Sequence, residues 1–289
     1  EEGKAMRATG TGITGGDPML DFDKTVLAIR ELKKAFGSDH HIHCYTSIPI
    51  KPDQAKELGE AGLDELRFHL LDLSLKRYSE SVNAANNAGI TVGIELPAEP
   101  DKEEKLMNLL TELDDSAVEF LNLNELEITV GNQGNMDVRG FNLAGGITAA
   151  AEGSAELANK LKIAASEMSF HVKFCTANFK DAGQLRNRFR RRGEATLRPY
   201  EILSDDDTIL FGAIPCSLGD ASDDVRELSE TLGLVDGWIR YDASSQRIEI
   251  PLSAAEEVAE HLDVPVQMIE VHPTHERLEV GVVHLNEVR

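Results

Sequence analysis

Short apolar or alternating runs recur along the first two-thirds of the chain, each followed by a longer stretch with apolar residues at helical spacing. Gly10–Thr14 reads as a strand and is followed by the turn Gly15-Gly16-Asp17-Pro18. Asp23–Phe36 then places Val26, Leu27, Ala28, Ile29 and Leu32 on a helical pattern that Gly37 ends. The same alternation predicts strands at 39–46, 64–70, 90–96, 118–126 and 170–175. Helices are expected at 52–61, 78–88, 102–113, 149–166 and 181–192. A strand-helix unit repeated in this way implies parallel strands with helices packed on them. Periodicity alone leaves an open sheet and a barrel equally available.

Near Ala195 the pattern changes. Strands at 198–203 and 208–214 flank Asp205-Asp206-Asp207, a helix covers 223–232, and strands at 237–241 and 247–250 flank Asp242–Gln246. A helix at 254–261 and strands at 266–272 and 278–284 complete a smaller α+β domain. The expected domains are therefore 1–194 and 195–289.

Charge narrows the choice of partners. The 289 residues carry 51 acidic and 29 basic side chains, a net charge of −22, which repels nucleic acid over most of the surface. One local exception is the run Lys180, Arg186, Arg188, Arg190, Arg191, Arg192 and Arg198, opposed only by Asp181 and Glu194. It can be read as a phosphate grip for RNA or a nucleotide, or as ordinary cations near a helix C-terminus. No apolar run approaches the roughly 20 residues of a membrane helix, and the polar N-terminus lacks a signal-peptide core. A cytoplasmic protein without a membrane partner is expected.

Cys44, Cys175 and Cys216 stand far apart, so no zinc ribbon or local cluster loop is encoded in this stretch. A metal site from His41, His43, His69 and Glu95 is a second candidate, since residues i and i+2 on a strand share a face. Polar and ionisable residues also fall within predicted strands: His43, Arg67, His69, Glu95, Asn124, Glu125, His171 and Lys173, which would gather at one barrel mouth. An apolar run tolerates charge only when it is paired, so Arg67 and Glu95 stand out as functional candidates, with an Arg67–Glu95 ion pair between neighbouring strands as the structural alternative.

The sharpest local signal is Ile13-Thr14-Gly15-Gly16-Asp17-Pro18, a two-glycine bend directly after a strand, where backbone can approach a ligand closely. It resembles the GGEP motif of radical S-adenosylmethionine enzymes, with Asp in place of Glu. The strand-end segments His41–Thr46, Glu65–His69, Val92–Pro97, Asn122–Glu127 and His171–Cys175, with Glu270–Val280, extend the likeness. Together they are similar to archaeal proteins related to pyruvate formate-lyase activating enzyme.

The resemblance implies an α/β fold: a partial (β/α) TIM-like barrel with a smaller C-terminal α+β domain. It implies S-adenosylmethionine as cofactor, a 4Fe-4S cluster, and an electron donor such as ferredoxin or flavodoxin. The 5′-deoxyadenosyl radical formed would take hydrogen from a small molecule, protein or RNA. Gly15, Gly16 and Asp17 would bind the methionyl amine, with Thr46, Arg67, Glu95 and Asn124 as further contacts. The superfamily's CxxxCxxC loop has no counterpart here. The chain begins at Glu1 rather than Met, and an upstream segment carrying that loop is expected. The rival readings are a metal-dependent barrel lyase or hydrolase, and a non-catalytic binding protein of the same fold.

Overall fold

The computed structural model describes residues 1–216, 221–261 and 263–286. The last three positions of the expected C-terminal domain lie outside the described residues. After a one-turn helix, α1 (Glu2–Ala5), the chain alternates through β1 (Gly10–Ile13), α2 (Phe22–Phe36), β2 (His41–Thr46), α3 (Pro52–Ala61) and β3 (Glu65–Phe68). It continues through α4 (Ser79–Asn87), β4 (Thr91–Ala98), α5 (Glu103–Asp114), β5 (Phe120–Glu125), α6 (Gln133–Val138), α7 (Ser154–Ala164) and β6 (His171–Cys175). A π-helical stretch, Phe179–Leu185, leads into α8 (Arg186–Thr196). Two compact units result: Thr9–Asp181, and Glu1–Ala8 with Ala182–Arg289.

In the larger unit the strands lie in the order β1-β2-β3-β4-β5-β6, and every neighbouring pair is parallel. Sequential order is what repeated strand-helix units produce. The sheet is nonetheless open, because β1 and β6 do not pair with each other. The α/β expectation holds as an all-parallel six-stranded sheet, with no closed barrel among the described residues.

Alternation sorts each strand. Ile42, Cys44, Leu66, Phe68, Val92, Ile94, Leu96, Leu121 and Leu123 enter one apolar core with the helices. In α5 the core residues are Leu106, Leu109, Leu110 and Leu113, an i, i+3, i+4, i+7 stripe. Pro52 at the first turn of α3 has no N–H to leave unpaired, and Gln54 Oε1 accepts from the Lys51 N–H at 2.9 Å. The opposite face of the sheet keeps the other parity: His41, His43, Tyr45, Glu65, Arg67, Gly93, Glu95, Phe120, Asn122, Asn124, His171 and Lys173.

The helix expected at 149–166 begins only at Ser154. Ala150 and Ala151 instead bridge to Glu127 and Leu143, and buried Ser154 Oγ joins the ends of β4 and β5 by donating to Ala98 O and accepting from Leu126 N. The short α6, set in glycine-rich sequence, was not foreseen.

The smaller unit holds an antiparallel sheet with β7 (Ile202–Leu203), β8 (Ile209–Pro215), β9 (Arg240–Asp242), β10 (Arg247–Ile250), β11 (Gln267–Val271) and β12 (Glu279–His284). Its order is β12-β11-β8-β10-β9, with β7 beside β8. Helices α9 (Ala221–Leu232) and α10 (Leu252–His261) contribute to its core. The strand expected from Arg198 shrinks to β7, because Pro199 has no N–H and the Arg198 N–H bonds Glu201 Oε2 in a turn.

Candidate functional site

Parity and register bring a polar network to the middle of the helix-free face. Arg67 on β3 donates from Nη1 to Glu95 Oε2 on β4 at 2.8 Å and to the Tyr45 hydroxyl on β2 at 2.9 Å. Its Nε pairs with Glu65. On β5, Asn122 Nδ2 donates to Glu95 Oε2 at 3.1 Å and Asn124 Nδ2 to Glu95 Oε1 at 3.0 Å. His69 Nδ1 lies 3.1 Å from the Glu95 carbonyl. The guanidinium carbon also sits 5.2 Å from the Tyr45 ring centre and 5.5 Å from that of Phe120, within cation–π range.

Burial alone would raise the Glu95 pKa, but hydrogen bonds from Asn124, Asn122 and Arg67 outweigh it and hold the carboxylate below its ordinary range. Burial likewise opposes charge on Arg67, and its partners, Glu65 first, push its pKa up. Burial, then the Glu95 charge, raises the Tyr45 hydroxyl. The centre is therefore one guanidinium held between two carboxylates, Glu65 and Glu95, with the neutral amides of Asn122 and Asn124 beside Glu95.

The two-glycine bend lies at the C-terminal edge of the same sheet. Gly15 and Gly16 are exposed with φ of 95° and 60°, and a Cβ on either would meet nothing within 4 Å. Their backbone is open to a ligand in a conformation that side-chain-bearing residues adopt at a cost. Asp17 has partners within the protein. Its Oδ1 accepts from Met19 N at 3.0 Å and Thr46 Oγ1 at 2.7 Å, and its Oδ2 from Ser47 N at 2.7 Å and Ser47 Oγ at 2.9 Å. Burial works against this carboxylate, yet the four hydrogen bonds keep its pKa low. Asp17 and Thr46 thus tie the bend after β1 to the end of β2, with their side chains already engaged.

Of the strand-end residues named from sequence, Arg67, Glu95 and Asn124 come together, and His43, His171 and Lys173 share their face. Glu125 does not; its Oε2 accepts from Ala177 N at 2.7 Å beside the end of β6. The quartet His41, His43, His69 and Glu95 is not assembled as a metal centre among the described residues. Sequence reasoning missed Tyr45, Glu65 and Asn122 as partners, although all have the parity of Arg67 and Glu95.

The thiols do not form a cluster site. Cys44 is buried on the helix side of β2, and burial with the Asp17 charge pushes it up to about 12. Cys175 ends β6, and Cys216 belongs to the other unit. Among the described residues no three cysteines group together, so they hold no ligand set for a 4Fe-4S cluster.

The basic run is largely neutralised within its own unit. Arg186 and Arg190 both pair with buried Asp207, Arg192 with Glu2, and Arg198 with Glu249.

A protein of Methanocaldococcus jannaschii, provisionally named a glycyl-radical enzyme activating enzyme, is 31% identical over 296 residues, spanning 97% of this chain and 77% of the relative. The chain belongs to this family. It is a radical S-adenosylmethionine family of enzymes. No family model matches the sequence. Among solved structures, 3-hexulose-6-phosphate synthase from Salmonella typhimurium matches with a TM-score of 0.32 at 14% identity, covering 59% of this chain and 79% of that one. The Pyrococcus furiosus tryptophan synthase complex matches at 0.33 and 14%, covering 67% and 90%. Likenesses this low carry no argument, and the fold of this radical S-adenosylmethionine family member rests on its own sheet. No described helix is long and apolar enough to cross a membrane.

Proposed function

We propose that this chain is the cofactor- and substrate-holding part of a radical S-adenosylmethionine activating enzyme. Family membership supports the class, and one observation carries the site: an exposed two-glycine bend at the C-terminal edge of the sheet whose polar face carries the Arg67–Glu95–Asn124 network. The backbone of Gly15 and Gly16 receives the methionyl amine. Asp17 and Thr46 hold the bend in place rather than contacting the cofactor directly. Arg67, Glu95 and Asn124 offer a rigid polar surface for the rest of the cofactor or for the substrate. The cofactor supplies, when bound and reduced, the radical chemistry; the chain orients the reactants and excludes water. The 4Fe-4S cluster that this chemistry requires takes its thiolates from outside the described residues. The relative's name points to a protein substrate, a glycyl-radical enzyme.

Binding of S-adenosylmethionine by calorimetry tests the site in the full chain. Gly16→Val is expected to abolish binding with the circular dichroism spectrum intact. Gly37→Val places the same side chain at another exposed glycine with positive φ (98°) and is expected to bind normally. Equal binding by wild type and Gly16→Val rules the proposal out.

A further inference from the structure

At the N-terminal edge of the parallel sheet, away from the glycine bend, a second set of ligating side chains meets. His41 is the first residue of β2, and His43 follows on the same face. Glu65 opens β3 and is the register partner of His43. One ligand atom from each of the three lies within 4.8 Å of the others, and His41 Nε2 stands 3.6 Å from Glu65 Oε2. Ligands about 2.0 Å from a tetrahedral ion stand roughly 3.3 Å apart, so a small turn of exposed His41 closes the set.

The neighbouring strand makes room. Gly10 and Gly12 on β1 are the register partners of His41 and His43. A Cβ at Gly12 would lie 2.6 Å from His43 Nε2, so the imidazole occupies the space that a side chain there would fill. His43 Nδ1 is buried with no hydrogen-bond partner. Glu65 gives Oε1 to Arg67 and leaves Oε2 toward His41. With Glu95 on the next strand, two carboxylates face the one Arg67 guanidinium.

We propose that His41, His43 and Glu65 bind a divalent transition cation of the zinc class, with water completing its coordination. Two imidazoles and one carboxylate are a donor set for such ions, whereas magnesium and calcium select oxygen. Arg67 acts as the outer partner that orients the carboxylate. The ion fastens β2 to β3 at the strand beginnings, under the Arg67–Glu95 network. It is separate from the thiolate cluster and from the glycine bend, so failure of either proposal leaves the other standing.

The test is titration of the chelator-treated full chain with Zn²⁺ by calorimetry and with Co²⁺ by visible absorption. One equivalent is expected to bind, and Zn²⁺ is expected to raise the melting temperature. His41→Ala, at an exposed position, and Glu65→Gln are each expected to weaken binding by more than about tenfold, the scale on which even outer partners of a bound metal act. His261→Ala, on α10 of the other unit, is expected to bind as wild type. The proposal is overturned by absence of stoichiometric binding or by wild-type affinity in both site variants. A sulfur-to-cobalt charge-transfer band overturns it equally. Should Glu65→Gln prove unstable, His41→Ala decides alone.

Discussion

The Arg67 guanidinium and the Glu95 carboxylate meet at 2.8 Å across neighbouring parallel strands, with side chains only 17% and 20% exposed. At that burial an unpartnered charge is costly, so the pair holds the polar face of the sheet in one arrangement rather than adding much net stability.

Glu95→Gln keeps the shape and one acceptor but removes the charge that Arg67, Asn122 and Asn124 share. The expected cost is about 1.5–3 kcal/mol, the range for hydrogen bonds to charged groups, read from urea denaturation at neutral pH. The Glu95 pKa is depressed below 4.5 in the folded protein. Its contribution is therefore complete above that unfolded-state value and is lost as pH falls through the folded one. Wild-type stability is expected to converge on that of Glu95→Gln in acid. A constant gap between the two from neutral pH down to about pH 3 contradicts this account.

Gly93 explains how an aromatic ring reaches that face. A Cβ there would lie 2.0 Å from Phe120 Cζ, so the ring crosses β4 where a side chain is missing and arrives beneath Arg67. Gly93→Ala is expected to cost about 1–3 kcal/mol by overpacking. In a Phe120→Ala background the same substitution is expected to cost much less. The double-mutant cycle measures this directly, and a coupling under about 0.5 kcal/mol means the contact does not matter.

Local pattern carried most of the larger unit. The Leu106, Leu109, Leu110 and Leu113 stripe and the alternation in Glu65–Phe68 each specify an element and its buried side without reference to the rest of the chain. The Arg67–Glu95 pair was legible as one alternative because both charges interrupt apolar strands that follow one another. What the pattern lacked was register. Tyr45, Glu65 and Asn122 become partners only once β2, β3, β4 and β5 are aligned, and no spacing within one strand encodes that alignment. Asp17 shows the same limit at a motif. Its position beside two glycines suggested a ligand contact, but its bonds to Thr46 and Ser47 were not legible, because those residues lie nearly thirty positions on. Whether the sheet closes was equally beyond periodicity, which is the same for a barrel and an open sheet.

The basic run shows the limit in the opposite direction, where a conspicuous sequence feature is cancelled by a distant residue. Asp207, its side chain 4% exposed, accepts from Arg186 Nε at 3.0 Å and Arg190 Nε at 2.6 Å. The two arginines are about half exposed and can turn to solvent if released. Asp207 has a φ of 62°, which asparagine tolerates, so Asp207→Asn removes the charge without straining the turn. Wild type is expected to pass through heparin unretained at about 0.15 M salt, where surface fields reach only some 8 Å. Asp207→Asn is expected to gain salt-dependent retention and to lose about 1–3 kcal/mol of stability. Salt-dependent retention of the wild type would show instead that Arg188 and its neighbours already form an open polyanion surface, and the intramolecular neutralisation described here would not hold.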